Sequence, residues 1–269
     1  MIRRVAVSDG PGIPDNRRVE NLEPAAQTGV EEPSISLSSR VVSPELMDAP
    51  ELQAEPHRLA LSGLRRINLF SRSAAAIAAA ILAVVPQQLE KPLTVLDIGC
   101  GSGDVTADVF QRLHRTGLAI RICGWDRSAT AIETASALGE SVAQPLDLKF
   151  AVHDAFGETT DRFDIVYCSL FLHHFENADA QRLLRQMERL ALQAVIVDDL
   201  VRSRTGLLLA KAGCRLLSRS PIVHTDGPQS VLAAFTLAEV RSLAAQAGLN
   251  DFRLRTHWPQ RFTLTWCRR

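Results

Sequence analysis

Little in this sequence favours a membrane, a disulfide framework or a nucleic-acid surface. The longest apolar run, Ala74 to Val85, falls short of the roughly 18 residues that suggest a bilayer span. The opening MIRRVAVSDG lacks the apolar stretch of a secretory signal, so the expected setting is cytoplasmic. The five cysteines (Cys100, Cys123, Cys168, Cys214, Cys267) are odd in number, widely spaced and free of any Cys-x-x-Cys pair. That pattern argues for reduced thiols and against a disulfide scaffold or structural zinc. Thirty Lys and Arg balance thirty Asp and Glu, leaving no global field to gather nucleic acid. The chain has a single tyrosine, Tyr167, no basic stripe and no Asn-Pro-Pro-Tyr turn, which further disfavours action on a stacked or flipped base.

What is present is a core. With 269 residues and 46% hydrophobic content, the chain can bury one large α/β domain. Residues 1–48 mix Pro, Gly, Ser and charge without a sustained period and are expected to form a flexible tail. Residues 49–90 follow as a helical cap, in which Leu59, Leu61, Leu64 and Ile67 recur at mostly helical spacing before a second, Ala-rich helix that Pro86 ends. Five apolar runs then alternate with helical segments: 94–99, 120–126, 147–153, 163–170 and 194–200. Their near-continuous hydrophobicity predicts strands buried on both faces, hence a parallel sheet covered by helices. The alternating segments DFRLRTHW and RFTLTWCRR predict a terminal hairpin. The expected fold is α/β: a Rossmann-like, doubly wound, seven-stranded, mostly parallel sheet with a terminal antiparallel hairpin. Domain 49–269 also carries an insertion at 201–235, expected to be a lid or substrate wall.

In such sheets ligands bind at the carboxyl ends of the strands, near the point where strand order reverses. There the sequence reads VLDIGCGSGD, with Gly99, Gly101 and Gly103 at alternate positions behind Asp97. The spacing is not the Gly-x-Gly-x-x-Gly of a pyrophosphate loop. An acid beside the loop would repel phosphate and attract an ammonium. The second run ends in Asp126, 29 residues beyond Asp97, where a carboxylate can accept both ribose hydroxyls. The third leads into Asp154-Ala155-Phe156, suited to an adenine amine and ring; the alternative for Asp154 is a helix N-cap. An amine, a ribose and an adenine without phosphate describe S-adenosylmethionine. Arg127, Cys100 and Ser169 complete the candidate cofactor set, Cys100 as a small buried spacer and not a reactive thiol.

VLDIGCGSGD, GWDRS, HDAF and RFDIVYCSLFLHHF resemble, in order and spacing, the successive motifs of class I S-adenosylmethionine-dependent methyltransferases, over residues 90 to 200. The resemblance implies S-adenosylmethionine as cofactor and methyl transfer to a small molecule. His173 and His174 follow the fourth run, and Asp198 and Asp199 end the fifth, similar to natural-product O-methyltransferases. It implies His173 as base and Asp198 as its partner, with His174 and Asp199 as competitors. His224, in what reads as a loop, is a second candidate base. No metal is expected, since the spacing of these histidines and aspartates singles out no ion.

The expected acceptor is phenolic, quinone-like or polyketide-type, and the expected state a monomer or homodimer. The alternatives are a nucleic-acid methyltransferase, a nicotinamide oxidoreductase, which the glycine spacing opposes, and a non-catalytic cofactor-binding interaction protein.

Overall fold

The computed structural model describes residues 37–49, 52–86, 89–142 and 147–269. Two helices come first, α1 (Ala54–Ser71) and α2 (Ser73–Leu82), joined by Arg72 alone in a left-handed conformation. Strands β1 (Leu93–Ile98), β2 (Ile120–Asp126), β3 (Leu148–Val152), β4 (Phe163–Ser169) and β5 (Ala191–Leu200) follow, with α3 (Asp104–His114) between β1 and β2, α4 (Ala129–Val142) between β2 and β3, and α5 (Asn177–Leu190) between β4 and β5. Then come α6 (Arg204–Leu217), α7 (Pro221–Ala233) and α8 (Leu237–Gln246). The hairpin β6 (Arg253–His257) and β7 (Arg261–Cys267) closes the chain.

All seven strands share one sheet in the order β3-β2-β1-β4-β5-β7-β6. β1 to β5 pair in parallel, and β7 lies antiparallel to both β5 and β6. The sequence-based expectation of five parallel strands and a hairpin is met.

Alternate strand residues feed two cores, as a period of two requires. Val95, Ile165 and Ile196 pack with Ile77 and Ile81 of α2 and Phe110 and Leu113 of α3. Leu96, Val166 and Val197 face the other way, against Leu183 and Met187 of α5 and Val240 and Leu243 of α8. A third, smaller cluster joins Ala60 of α1, Cys214 of α6 and Val223 of α7 beside the sheet's carboxyl edge. Chain direction reverses between β1, which leads outward to β2 and β3, and β4, which leads to β5.

Two expectations are corrected. The stretch around His224, read as a loop, belongs to the helix α7, which carries Pro228 inside it; packing against α6 and the preceding segment outweighs local propensity. Residues 37–48, expected to belong to a flexible tail, lie against the body. Arg40 donates to the carbonyls of Ala233, His173 and Phe175, and the amides of Leu46 and Met47 donate to the Asp226 carboxylate at 3.0 Å each. Side chains thus satisfy a strap with no regular ladder of its own. Residues 1–36 of the expected tail lie outside the described residues.

Candidate active site

Above the switch point a cavity of about 1140 Å³ runs from the glycine loop to the helices α1, α6 and α7. At one end its wall holds Asp97, Gly99, Cys100, Gly101 and Asp126. Arg127, Asp154, Ala155, Phe156 and Ser169 continue that wall, and His173 and His174 also line the cavity.

The glycines divide by role. Gly99 (φ +74°) turns the chain, and a β-carbon there would stand 2.4 Å from the Phe171 ring; at Gly103 (φ +77°) it would meet Phe150 at 2.8 Å. These two let ring and helix pack against the loop. Gly103 is absent from the cavity wall. Gly101 (φ +52°) has no atom within 4 Å of the position a β-carbon would take, so its bare side is space for a ligand.

Asp97 is buried, its Oδ2 accepting from the Thr106 hydroxyl at 2.6 Å. Its Oδ1 has no hydrogen-bond partner among the described residues. Burial, with help from Asp126, pushes this carboxyl up to about 7 against the opposing effect of the Thr106 and Tyr167 hydroxyls. A buried acceptor without a donor costs stability until a cation or donor reaches it. Asp126 accepts from the Gly101 amide on one oxygen and the Ser128 amide on the other, both at 2.9 Å, which fixes the carboxylate beside the cavity. Asp154 caps no helix; its Oδ1 accepts from the Phe156 amide at 2.9 Å in a side-chain turn, presenting Ala155 and Phe156 to the cavity. Burial pushes the Cys100 thiol far up, as expected of a spacer. A free carboxylate oxygen, an open glycine and a braced acid at the second strand fit a ligand bearing an ammonium and a ribose diol.

At the other end Leu170, in a left-handed conformation (φ 53°), ends β4 and turns Phe171 over Gly99 and the next residues into the short helix Leu172–His174. The sequence-based pairing of His173 with Asp198 is corrected. His173 is buried, its Nδ1 lies 2.7 Å from Asp199 Oδ1, and its amide donates to Asp199 Oδ2 at 3.0 Å. Successive strand residues face opposite sides, so only one of the two aspartates can turn to α5 and His173. Asp198 turns to the other face, where it accepts from Ser73, Thr263 (2.9 Å) and His257 (2.6 Å), with Arg261 at 3.9 Å. It is absent from the cavity wall, as is His224 of α7, whose ring lies 2.9 Å from the Ser218 carbonyl at the end of α6. Both therefore leave the group that can touch a ligand.

Glu45 was not anticipated. It comes from the strap, is buried, and sets Oε1 3.7 Å from His173 Nε2 while Ser230 donates to the same oxygen. Burial alone would lower His173, but Asp199 and Glu45 raise it to about 10, so at neutral pH it carries its proton. His174 stacks on it, with ring centroids 4.4 Å apart. Around them the wall turns apolar, with Leu61, Leu64 and Ile67 of α1 and Leu209, Ala210 and Gly213 of α6. Asn68 of α1 lines the cavity with a buried Oδ1 that has no hydrogen-bond partner among the described residues.

Residues 95–192 match the family model described as a methyltransferase domain. A comparison with curated proteins finds none that matches. Among solved structures, the chain is similar to a protein from Nostoc punctiforme PCC 73102 assigned to the O-methyltransferases, at 22% identity and a TM-score of 0.58, over 86% of this chain and 64% of that one. It is also similar to magnesium protoporphyrin IX methyltransferase from Synechocystis PCC 6803 with bound S-adenosylhomocysteine (17%, TM-score 0.52, 83% and 91%). An O-methyltransferase family 2 protein from Planctomyces limnophilus DSM 3776 in complex with apigenin is a third (18%, TM-score 0.57, 82% and 62%). The chain thus spans just under two thirds of the length of two of these three.

Proposed function

We propose that this chain, whose residues 95–192 match a methyltransferase domain, is a class I S-adenosylmethionine-dependent methyltransferase that methylates an oxygen of a small, largely apolar acceptor of phenolic, quinone-like or polyketide type. The observation that carries this reading is that one cavity is lined both by Asp97, Gly101 and Asp126 and by apolar residues of α1 and α6 together with His173 and His174. Bound S-adenosylmethionine supplies an electrophilic methyl group on a sulfonium. The protein's share is to place a nucleophile in line with it and to exclude water.

The geometry supports the following residue roles. Asp97 Oδ1, the unpartnered acceptor, holds the ammonium; Asp126 accepts from the ribose hydroxyls; Ala155 and Phe156 cover the adenine. The helices α1 and α6 enclose the acceptor in apolar surface. His173, already protonated between Asp199 and Glu45, positions and polarises. The neighbouring His174 is the residue placed to take the acceptor's proton. Support for an oxygen acceptor comes from this pair and from the likeness to proteins assigned as O-methyltransferases.

Calorimetric titration of the wild type and Asp126→Ala with S-adenosylmethionine tests the premise. Losing two charge-assisted hydrogen bonds should weaken binding by about 100-fold or more. Equal affinity in the two proteins, or no binding by a folded wild type, would sink the reading.

A further inference from the structure

The cluster at the acceptor end has more order than proton handling alone requires. Glu45, His173 and His174 each offer one donor atom, and the three donors lie within 4.8 Å of one another at the cavity wall. We infer that Glu45, His173 and His174 form a binding site for a divalent first-row transition ion, with Zn²⁺ the best match, its remaining coordination positions facing the acceptor chamber.

Four observations lead there. The donor set is two imidazoles and a carboxylate, the composition of open three-ligand sites that keep a position for water or substrate. The His173 ring is held from behind, since Asp199 takes Nδ1 at 2.7 Å and also the residue's own amide. That leaves Nε2 pointing toward Glu45 at 3.7 Å. A carboxylate behind a histidine is the usual second shell of a metal ligand, fixing tautomer and ring plane. Glu45 is likewise held, its Oε1 by Ser230 and its backbone by a strap pinned on both sides. Arg40 anchors it to the His173 and Phe175 carbonyls, and Asp226 takes the Leu46 and Met47 amides. The fourth observation is charge. Two carboxylates, Glu45 and Asp199, converge on one buried ring, which favours positive charge at that ring. A divalent ion at Nε2 takes the place of the proton held there, which passes to solvent.

No sulfur joins the set, so a soft Cu⁺-type site is not indicated. A 2-His-1-carboxylate trio also differs from the all-oxygen shells that Mg²⁺ and Ca²⁺ prefer. The binding claim stands on the three donors alone; that the ion's remaining positions face an acceptor rests on the methyl-transfer reading above.

The test uses the untagged full chain, stripped with chelator, and Zn²⁺ without acceptor or cofactor, followed by calorimetry and elemental analysis after gel filtration. One equivalent is expected, weakened at least 100-fold in His174→Ala and in Glu45→Gln. Cys267→Ser, which removes an exposed thiol that could scavenge zinc, should bind as the wild type does. Thermal melts and S-adenosylmethionine titrations of each variant separate folding and cofactor binding from metal binding. A protein that binds the cofactor but no stoichiometric Zn²⁺ overturns the metal site and leaves the methyltransferase reading standing. Zinc binding unchanged in Glu45→Gln and His174→Ala, both folded, overturns it as well. Binding of Co²⁺ with the absorption of a low-symmetry nitrogen-oxygen site, lost in the same variants, is the second expected result; an unperturbed aqua-ion spectrum counts against the site.

Discussion

At the cofactor end of the cavity, Asp97 and Asp126 come from the ends of two adjacent strands only 29 residues apart, with the glycine loop directly behind the first. At the acceptor end, Glu45 and Ser230, hydrogen-bonded to each other, are separated by 185 residues, and His173 and Asp199 come from two further elements. The first end is a local device in which each residue's job follows from its position after a strand. The second is assembled from the strap, the turn after β4, the end of β5 and α7, so no stretch of sequence announces it. The proposed cofactor end is therefore written in motifs, and the proposed acceptor end in packing.

The sharpest way to break that comparison lies in the two neighbouring aspartates. Asp198→Ala should strand the buried Arg261 guanidinium and cost about 3–5 kcal/mol, read as an early thermal transition, while folded protein keeps its affinity for S-adenosylmethionine. Asp199→Asn should fold and bind cofactor normally but turn over about 10- to 100-fold more slowly, because His173 loses its orienting carboxylate. If Asp198→Ala, once folded, were the slow enzyme and Asp199→Asn the normal one, the assignment of the catalytic pair would be reversed.

A next test concerns Asp97. Its carboxyl ionises near 7 in the folded protein and near 3.8 when unfolded, so the fold holds a proton that the unfolded chain has released. That contribution is complete below pH 3.8 and is lost as pH rises through about 7, an effect of a few kcal/mol. Melting temperatures of the cofactor-free protein should therefore decline between about pH 4 and 7 and level off above, and Asp97→Asn should flatten the decline while weakening cofactor binding. A parallel decline in the variant would remove Asp97 as its cause.

The smallest effects distinguish the glycines. Gly99→Ala combines a left-handed backbone with a β-carbon 2.4 Å from Phe171 and should cost about 2–3 kcal/mol of stability. Gly101→Ala meets open space and should cost only about 1 kcal/mol, yet weaken cofactor binding because the new methyl stands in the ligand's place. Calorimetry paired with melts on both variants would show whether loop packing and ligand contact are separable.

The cofactor end was legible because strand-end position and residue chemistry coincide: apolar runs locate the strands, and the acids that end them cannot be core. Reading stopped where two answers were compatible with the same letters. Asp198 and Asp199 are adjacent acids, and only the register of β5 between β4 and β7 decides that one meets His173 and the other His257. Gly227-Pro228 carries a turn signal, yet α7 runs through it because its neighbours on α6 and the strap hold it there. Glu45 stood in a segment with no periodicity at all.

By itself, then, the sequence determined the seven-stranded sheet and which acids and glycines stand at its carboxyl edge, since these depend on hydrophobic period and on short-range spacing. Tertiary structure alone decided which aspartate braces His173, that His224 faces a carbonyl and not the cavity, and that a strap near residue 45 completes the acceptor chamber. Those outcomes depend on strand pleat and long-range docking, where one residue's shift reverses the face a side chain presents.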